Sequence, residues 1–572
     1  MTTEVERSRP LQFLGRKWPS LLVALLCGIL WFPRWQGPID LRWDAGVYYV
    51  LGTSLAGGHG YRIVSEPGAP MAVQYPPLLP GIVALVQCLL RSDDLFKVGS
   101  CLRYVYGVLF FCYGFLTLTL ARHFLPAVLA VLATATCLAH VSTIFFSDLL
   151  FTELPFAVVV VAFCIAARAP FHRRRDREAG LFLLAMIGYL LRSAGIAFFA
   201  AWIAEAIFYR RLKLAGLRLL LSLLPIAAWQ GHVWWVKESS SYRHPAYSYQ
   251  RAPYQFYNVP YLENMMLRNP EMPELGRITP PGLVARAVKN APTLFRSVGE
   301  AVSASEFYWA RGMAKLLPLS TGNASRWAIV PVIALGASTC VGLISLLRRK
   351  QVIIVCFVLF SLALLSLAPW RFQFLRYLSP VTSLLTISLA TALFTGWRSV
   401  LKRLDVFQGG VVRYLPYGVA MSLILSIQGY AAWQLFRTRS TARLRSDSTG
   451  RIEEGRFFHY DPVWADWENA VLWLETRSSP GEIIATQRSP HLCFLQIGRL
   501  SVAPPVNPDP FIVSQLLRSV PASFVVEDAE YRIPAVEEGK FGWRLSARFS
   551  KVNVYEVESA ARLSSGKPAS PW

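Results

Sequence analysis

The chain has 572 residues, 54% of them hydrophobic and 16% charged, with a formal net charge of +23 at pH 7. A soluble chain of this length does not need that much apolar surface, so the composition points to a polytopic membrane protein. The positive charge is not a nucleic-acid signal, because Lys and Arg fall in short clusters between apolar runs, as in cytoplasmic anchoring loops.

The basic N-terminus (Arg7, Arg9, Arg16, Lys17) precedes an apolar run closed by Trp31, Pro33 and Trp35. No small-residue cleavage site follows, so the run is expected to be retained as a first helix. Spanning takes about 20 apolar residues. Spans are expected to begin near Trp18, Gly99, Leu125, Leu154, Ala179, Ser193, Ala215, Arg326, Gln351, Tyr377 and Val411, about eleven transmembrane helices. With a cytoplasmic N-terminus, the later basic clusters all face inward: Arg122-His123, Arg168 with Arg173-Arg174-Arg175 and Arg177, Arg210-Arg211-Lys213, Arg348-Arg349-Lys350, and Arg398 with Lys402-Arg403.

Leu78–Leu90 would break that sidedness if it spanned. It is short, follows two prolines and precedes Arg91-Ser92-Asp93-Asp94, so an amphipathic helix at the outer surface is expected. External loops are expected at about 37–98, 147–153 and 237–319, the last rich in Tyr, Pro and His, with helix-capable pieces at Leu262–Arg268 and Pro281–Val298. Residues 1–436 then form a membrane domain and 437–572 a small extracytoplasmic α/β domain. In the latter, Glu468–Thr476 is predicted helical and 482–486 and 523–527 are predicted strands. Lys551–Val557 alternates as an edge strand would. Most of the nine cysteines lie inside apolar runs, and no CxxC or Cys/His cluster occurs, so neither zinc nor a disulfide framework is indicated.

Asp44, in Trp43-Asp44-Ala45-Gly46-Val47-Tyr48-Tyr49, stands just beyond the first apolar segment. A carboxylate at the lip of a membrane helix is costly to desolvate, so it has a chemical task or a partner, here Arg34 or Arg42. Asp40 is a secondary candidate. A second acidic element, Ser147-Asp148-Leu149-Leu150-Phe151-Thr152-Glu153-Leu154-Pro155-Phe156, falls on the same side; either acid there also suits a helix cap. Arg192, Arg371 and Arg376 lie outside, against the positive-inside rule; they suit phosphate recognition or snorkelling to headgroups. His140 and His232 read as hydrogen-bonded core residues.

These motifs resemble, in order and spacing from Trp18 to Pro380, the GT-C superfold of membrane glycosyltransferases that use polyprenyl-phosphate-linked sugars. The matching pieces are Asp44 with Tyr48, the Gly57-Gly58-His59-Gly60-Tyr61 turn, Gln74-Tyr75-Pro76-Pro77-Leu78-Leu79-Pro80, Glu153 before Leu154-Pro155-Phe156, Arg192, and Arg376-Tyr377-Leu378-Ser379-Pro380. The resemblance implies Asp44 as the main catalytic carboxylate, with Glu153 and Asp148 as further acids. It implies that Tyr48, Arg192, Arg371, Arg376 and Tyr377 bind substrate.

An acid near the acceptor would take its proton, and anionic charge would stabilise an oxocarbenium-like transition state. The Asp44–Glu153 pair would equally hold Mg²⁺ or Mn²⁺ against the donor phosphate. The implied partners are a polyprenyl-phosphate-linked sugar, an extracytoplasmic acceptor (lipid, glycan or protein) and the bilayer, in the plasma (inner) membrane. The chain departs from the lipid A aminoarabinose transferases in lacking an acid directly after Asp44. Two other classes remain open, a transporter or flippase of lipid-linked sugars and a non-catalytic scaffold. The gathering of ionisable groups at one face counts against transport.

Overall fold

The computed structural model describes residues 9–168, 174–316, 320–403, 414–445, 452–536 and 541–558. Arg7, Arg173, the loop limit Leu319 and the predicted span start Val411 lie outside them. The chain opens with α1 (Arg9–Trp31), α2 (Asp44–Ala56), α3 (Leu78–Leu90) and α4 (Leu95–Arg122). Then come α5 (Ala127–Ala139), α6 (Val141–Asp148), α7 (Glu153–Arg168), α8 (Arg174–Leu191), α9 (Ile196–Phe208) and α10 (Leu212–Glu238). A long loop carries α11 (Ser240–Arg243), α12 (Tyr261–Met265), α13 (Pro280–Val302) and α14 (Glu306–Leu316). The helices α15 (Thr321–Arg348), α16 (Val352–Ser366), α17 (Phe374–Leu378), α18 (Thr382–Arg403) and α19 (Leu415–Arg437) follow.

Each predicted span coincides with a helix, yet among the described residues only five helices are by themselves long and apolar enough to cross a membrane. A sixth is added if α5 and α6, bent by 52° at His140, count as one. The others fall short for local reasons. Tyr209-Arg210-Arg211 closes α9, and the first turn of α8 is charged. The chain is a multi-pass membrane protein. Along α10, Leu219, Leu220, Leu223, Leu224, Trp234 and Trp235 are exposed, as lipid-facing residues are. Where helices cross, glycines admit the neighbour: a Cβ on Gly299 would strike the Val332 carbonyl, and one on Gly342 that of Ser388.

After α19 the hairpin β1 (Ser440–Arg445)–β2 (Ile452–Phe457) leads into α20 (Pro462–Arg477), capped by the Asp461 carboxylate on the Trp464 N–H at 3.0 Å. Next are β3 (Ile483–Thr486), α21 (Pro490–Ile497), β4 (Ser501–Val502), α22 (Pro510–Ser519), β5 (Ala522–Asp528), β6 (Trp543–Arg548) and β7 (Val552–Val557). The sheet order is β4-β3-β5-β7-β6, with β3 parallel to both neighbours and β7 antiparallel to both of its own. The predicted edge strand is therefore interior. Alternation reports a half-buried face, with Val552 and Val554 inward, and does not report whether a partner lies on each side. From the long loop, Tyr247 and Tyr249 join the core of this sheet.

Candidate functional site

Two chain segments meet before either helix begins. The Asp40 N–H donates to the Asp148 carbonyl at 3.0 Å and the Leu150 N–H to the Asp40 carbonyl at 3.1 Å, a short parallel bridge. This bridge sets the starts of α2 and α7 side by side. Asp44 is the first residue of α2 and Glu153 the first of α7, where the helix dipole favours a carboxylate.

Arg376, in α17, joins them. Its Nη2 donates to Asp44 Oδ2 at 2.6 Å and its Nε to Glu153 Oε1 at 2.7 Å. Arg192, just past the end of α8, brings Nη1 within 3.2 Å of the same Glu153 oxygen. The Arg376 guanidinium lies over the Phe151 ring at 4.5 Å and that of Arg192 over Tyr377 at 4.9 Å. The two acids and two arginines balance in charge but not in exposure. The Glu153 side chain is 2% exposed and that of Asp44 33%, so Asp44 is the more accessible acid. Glu153 also lines a small cavity together with Tyr113, Ser142, Thr143 and Ser379.

Tyr48, one turn beyond Asp44 on α2, is buried with its ring against Tyr75 at 4.9 Å. Desolvation, then the charges of Asp44 and Glu153, push its hydroxyl pKa upward, so it stays a neutral donor.

No family model matches the sequence, and no curated protein sequence matches it. Solved structures do match in shape. The apo oligosaccharyltransferase of Archaeoglobus fulgidus has a TM-score of 0.53 at 12% identity, covering 96% of this chain and 75% of its own. The same organism's oligosaccharyltransferase AglB, in complex with an inhibitory peptide and a dolichol-phosphate, scores 0.52 at 12% identity, covering 90% of this chain and 70% of its own. ArnT from Cupriavidus metallidurans bound to undecaprenyl phosphate covers 97% of this chain and 100% of its own at 12% identity, but its TM-score of 0.47 is too low to weigh.

The chain has the GT-C fold. Within it, the structure gathers Asp44, Tyr48, Glu153, Arg192, Arg376 and Tyr377 into one cluster. Two sequence candidates go elsewhere. Asp148 is buried and pairs with Arg103 at 3.0 Å and Arg439 at 3.7 Å. Arg371 donates Nε to Asn290 Oδ1 at 2.6 Å and Nη2 to the Lys289 carbonyl at 3.2 Å, both on α13. Neither partner foreseen for Asp44 is used: Arg42 pairs with Asp40 at 2.7 Å, and Arg34 donates to the Leu30 and Ile144 carbonyls. His140 caps α6 through the Ser142 N–H and meets the Glu300 carbonyl, buried as a core histidine is, whereas His232 meets the Ala72 carbonyl but is only half-buried.

The side chains as arranged do not fit Mg²⁺ or Mn²⁺. The Arg376 guanidinium fills the space between the two carboxylates, where a cation would stand, and a divalent ion seeks six or more oxygens. Among the described residues no group of three or more His, Cys, Asp or Glu converges as a metal site. An A. fulgidus oligosaccharyltransferase, by contrast, has been crystallised in complex with Zn and sulfate, at a TM-score of 0.51.

Sequence reasoning missed three flanking residues. Phe151 supports Arg376, Tyr75 packs on Tyr48, and Tyr261 lies against Tyr377. Tyr75 and Phe151 sit in stretches already singled out, Tyr261 in the long Tyr-rich loop, but nothing in the sequence points to the packing of any of the three.

Proposed function

We propose that the chain transfers a sugar from a polyprenyl-phosphate carrier to an extracytoplasmic acceptor. The observation that carries this reading is the single guanidinium of Arg376 held between Asp44 and Glu153, with Arg192 beside it. A phosphate leaving group needs cations at the membrane surface, and an acceptor needs a base; this cluster supplies both. The GT-C fold, and the dolichol-phosphate in AglB, support the donor class.

In the proposed reaction the acceptor oxygen or nitrogen attacks the anomeric carbon and passes its proton to Asp44, the accessible acid. The bond from the anomeric carbon to the phosphate oxygen breaks, and its electron pair leaves with the polyprenyl phosphate. Arg192 and Arg376 turn from Glu153 and Asp44 toward that phosphate as it enters, which frees the Asp44 carboxylate to act as base. Glu153 stays buried and holds both guanidiniums before the donor arrives. Tyr48 offers a neutral hydroxyl beside the acids, and Tyr377 supports Arg192 from below. No step is assigned to a metal ion.

In the same reading the protein lies in the plasma (inner) membrane with its N-terminus cytoplasmic and about eleven spans. Residues 1–436 are the catalytic membrane domain and 437–572 an extracytoplasmic domain. Proteoliposomes carrying the purified protein and radiolabelled polyprenyl-phosphate sugars test this. Label passing from the lipid phosphate to a second molecule supports the enzyme. Label that crosses the bilayer still on its carrier makes the protein a flippase.

A further inference from the structure

Three residues with left-handed backbones meet where α2 begins, and none is glycine: Trp43 at φ +55°, His459 at +50° and Ser489 at +46°. A bulky aromatic in that region is a conformational outlier and persists only where its surroundings over-determine it. Here the surroundings come from the C-terminal region. The Trp43 N–H donates to Ser489 Oγ at 2.8 Å, and its indole meets the Trp464 ring edge-on at 5.6 Å. The preceding residue, Arg42, donates Nη1 to the His459 carbonyl and Nη2 to that of Phe458, while Nε and Nη2 also hold Asp40. One turn along α2, a Cβ on Gly46 would lie 3.2 Å from the His491 Cβ and 3.3 Å from the Leu492 nitrogen. His491 Nδ1 is 2.7 Å from Ser65 Oγ, and the Ser501 N–H donates to the Ser65 carbonyl at 2.8 Å, so the C-terminal region also grips the loop after α2.

We infer that Ser489 is a positioning residue for Asp44: by accepting the Trp43 N–H it fixes the backbone from which α2 starts and hence the direction of the carboxylate. This gives the C-terminal region a part in catalysis although it contributes no group to the acid–arginine cluster. The inference rests on the proposed transferase reading for its kinetic consequence, but its structural half stands independently. Arg376 also bonds Glu153, on a different segment, and that half of the cluster makes no contact with Ser489.

The test compares Ser489→Gly with Ser489→Asn in the full-length protein. Glycine accepts the left-handed backbone without strain and removes the hydroxymethyl group with its acceptor oxygen, so folding is spared. Asparagine tolerates the same backbone and returns an acceptor oxygen. In Ser489→Gly, amide hydrogen exchange in the peptide 41–49 should quicken about tenfold. Its kcat for sugar transfer should fall roughly 10- to 100-fold with KM for the lipid donor little changed. Ser489→Asn should recover both. Unchanged exchange in the glycine variant overturns the joint, and faster exchange with unchanged kcat overturns its role in aiming Asp44. If the wild type transfers no sugar from any lipid donor, the functional reading fails, while exchange still decides whether Ser489 holds the start of α2.

Discussion

Arg376 Nη2 stands 2.6 Å from Asp44 Oδ2, an ion pair between residues 332 positions apart in the chain. The same side chain reaches Glu153 at 2.7 Å through Nε, so the two acids share one cation. Two in-plane donors of one guanidinium, Nε and Nη2, are in use at once, and that geometry is specific to arginine.

Arg376→Ala should therefore weaken polyprenyl-phosphate binding by the worth of a charge-assisted contact, roughly 1.5–3 kcal/mol or about 10- to 150-fold. Lysine should rescue only in part, since one ammonium cannot serve both acids in the same geometry. Equilibrium binding of polyprenyl phosphate reads this directly. Wild-type affinity in the alanine variant would move the phosphate site elsewhere.

Asp148→Asn tests a structural part of the same region. The carboxylate is 2% exposed between Arg103 and Arg439, and replacing it leaves two guanidiniums facing an amide. Breaking a buried pair costs about 3–5 kcal/mol, so a clear drop in melting temperature is expected. A variant that melts with the wild type would show that Asp148 is free for another task.

Chelation should leave the reaction standing. Because Arg192 and Arg376 meet the charge of the phosphate in the proposed reaction, transfer in EDTA should stay within about twofold of the rate in added Mg²⁺. A strict requirement for metal would mean that a cation, and not the two arginines, meets that charge.

Glu468 predicts a pH dependence of stability. Burial pushes its pKa up from 4.5 to about 7, partly offset by the hydroxyl of Tyr460. The folded state therefore binds the proton more tightly than the unfolded state. Stability from this group is fullest below pH ~4.5, falls as pH rises to about 7, and is level above, a loss on the order of a few kcal/mol. Glu468→Gln keeps an acceptor for Tyr460 and should remove the slope. Thermal unfolding of both proteins from pH 4 to 8 would show it, and parallel curves would contradict it.

What the sequence revealed of this site follows the physics of single positions. Asp44 and Glu153 stand where helices begin, and acids favour a first turn; Arg192 defies the positive-inside pattern. What it concealed depends on long-range pairing. Asp148 and Glu153 lie five residues apart, and it takes long-range contacts, the bridge between Asp40 and Leu149 and the pairing of Asp148 with Arg103 and Arg439, to leave Glu153 facing Arg376. Arg371 and Arg376 are likewise five apart, and the short helix α17 turns one toward the acids and leaves the other on α13. Hydropathy placed each predicted span on a helix, yet among the described residues only five of these are by themselves long and apolar enough to cross, and shorter ones such as α9 and α16 are not decided by length. The joint of Trp43 with Ser489 has no periodicity or motif and belongs to tertiary structure alone.

The central claim is that Asp44 is the working base of a sugar transfer. Its most direct test is single-turnover transfer of radiolabelled sugar from a polyprenyl-phosphate donor, comparing wild type with Asp44→Asn at matched protein level and donor occupancy. The substitution keeps size and an Oδ acceptor for Arg376 but cannot take the proton, so a loss of about 10²-fold or more is predicted. Transfer at the wild-type rate in Asp44→Asn would contradict the account.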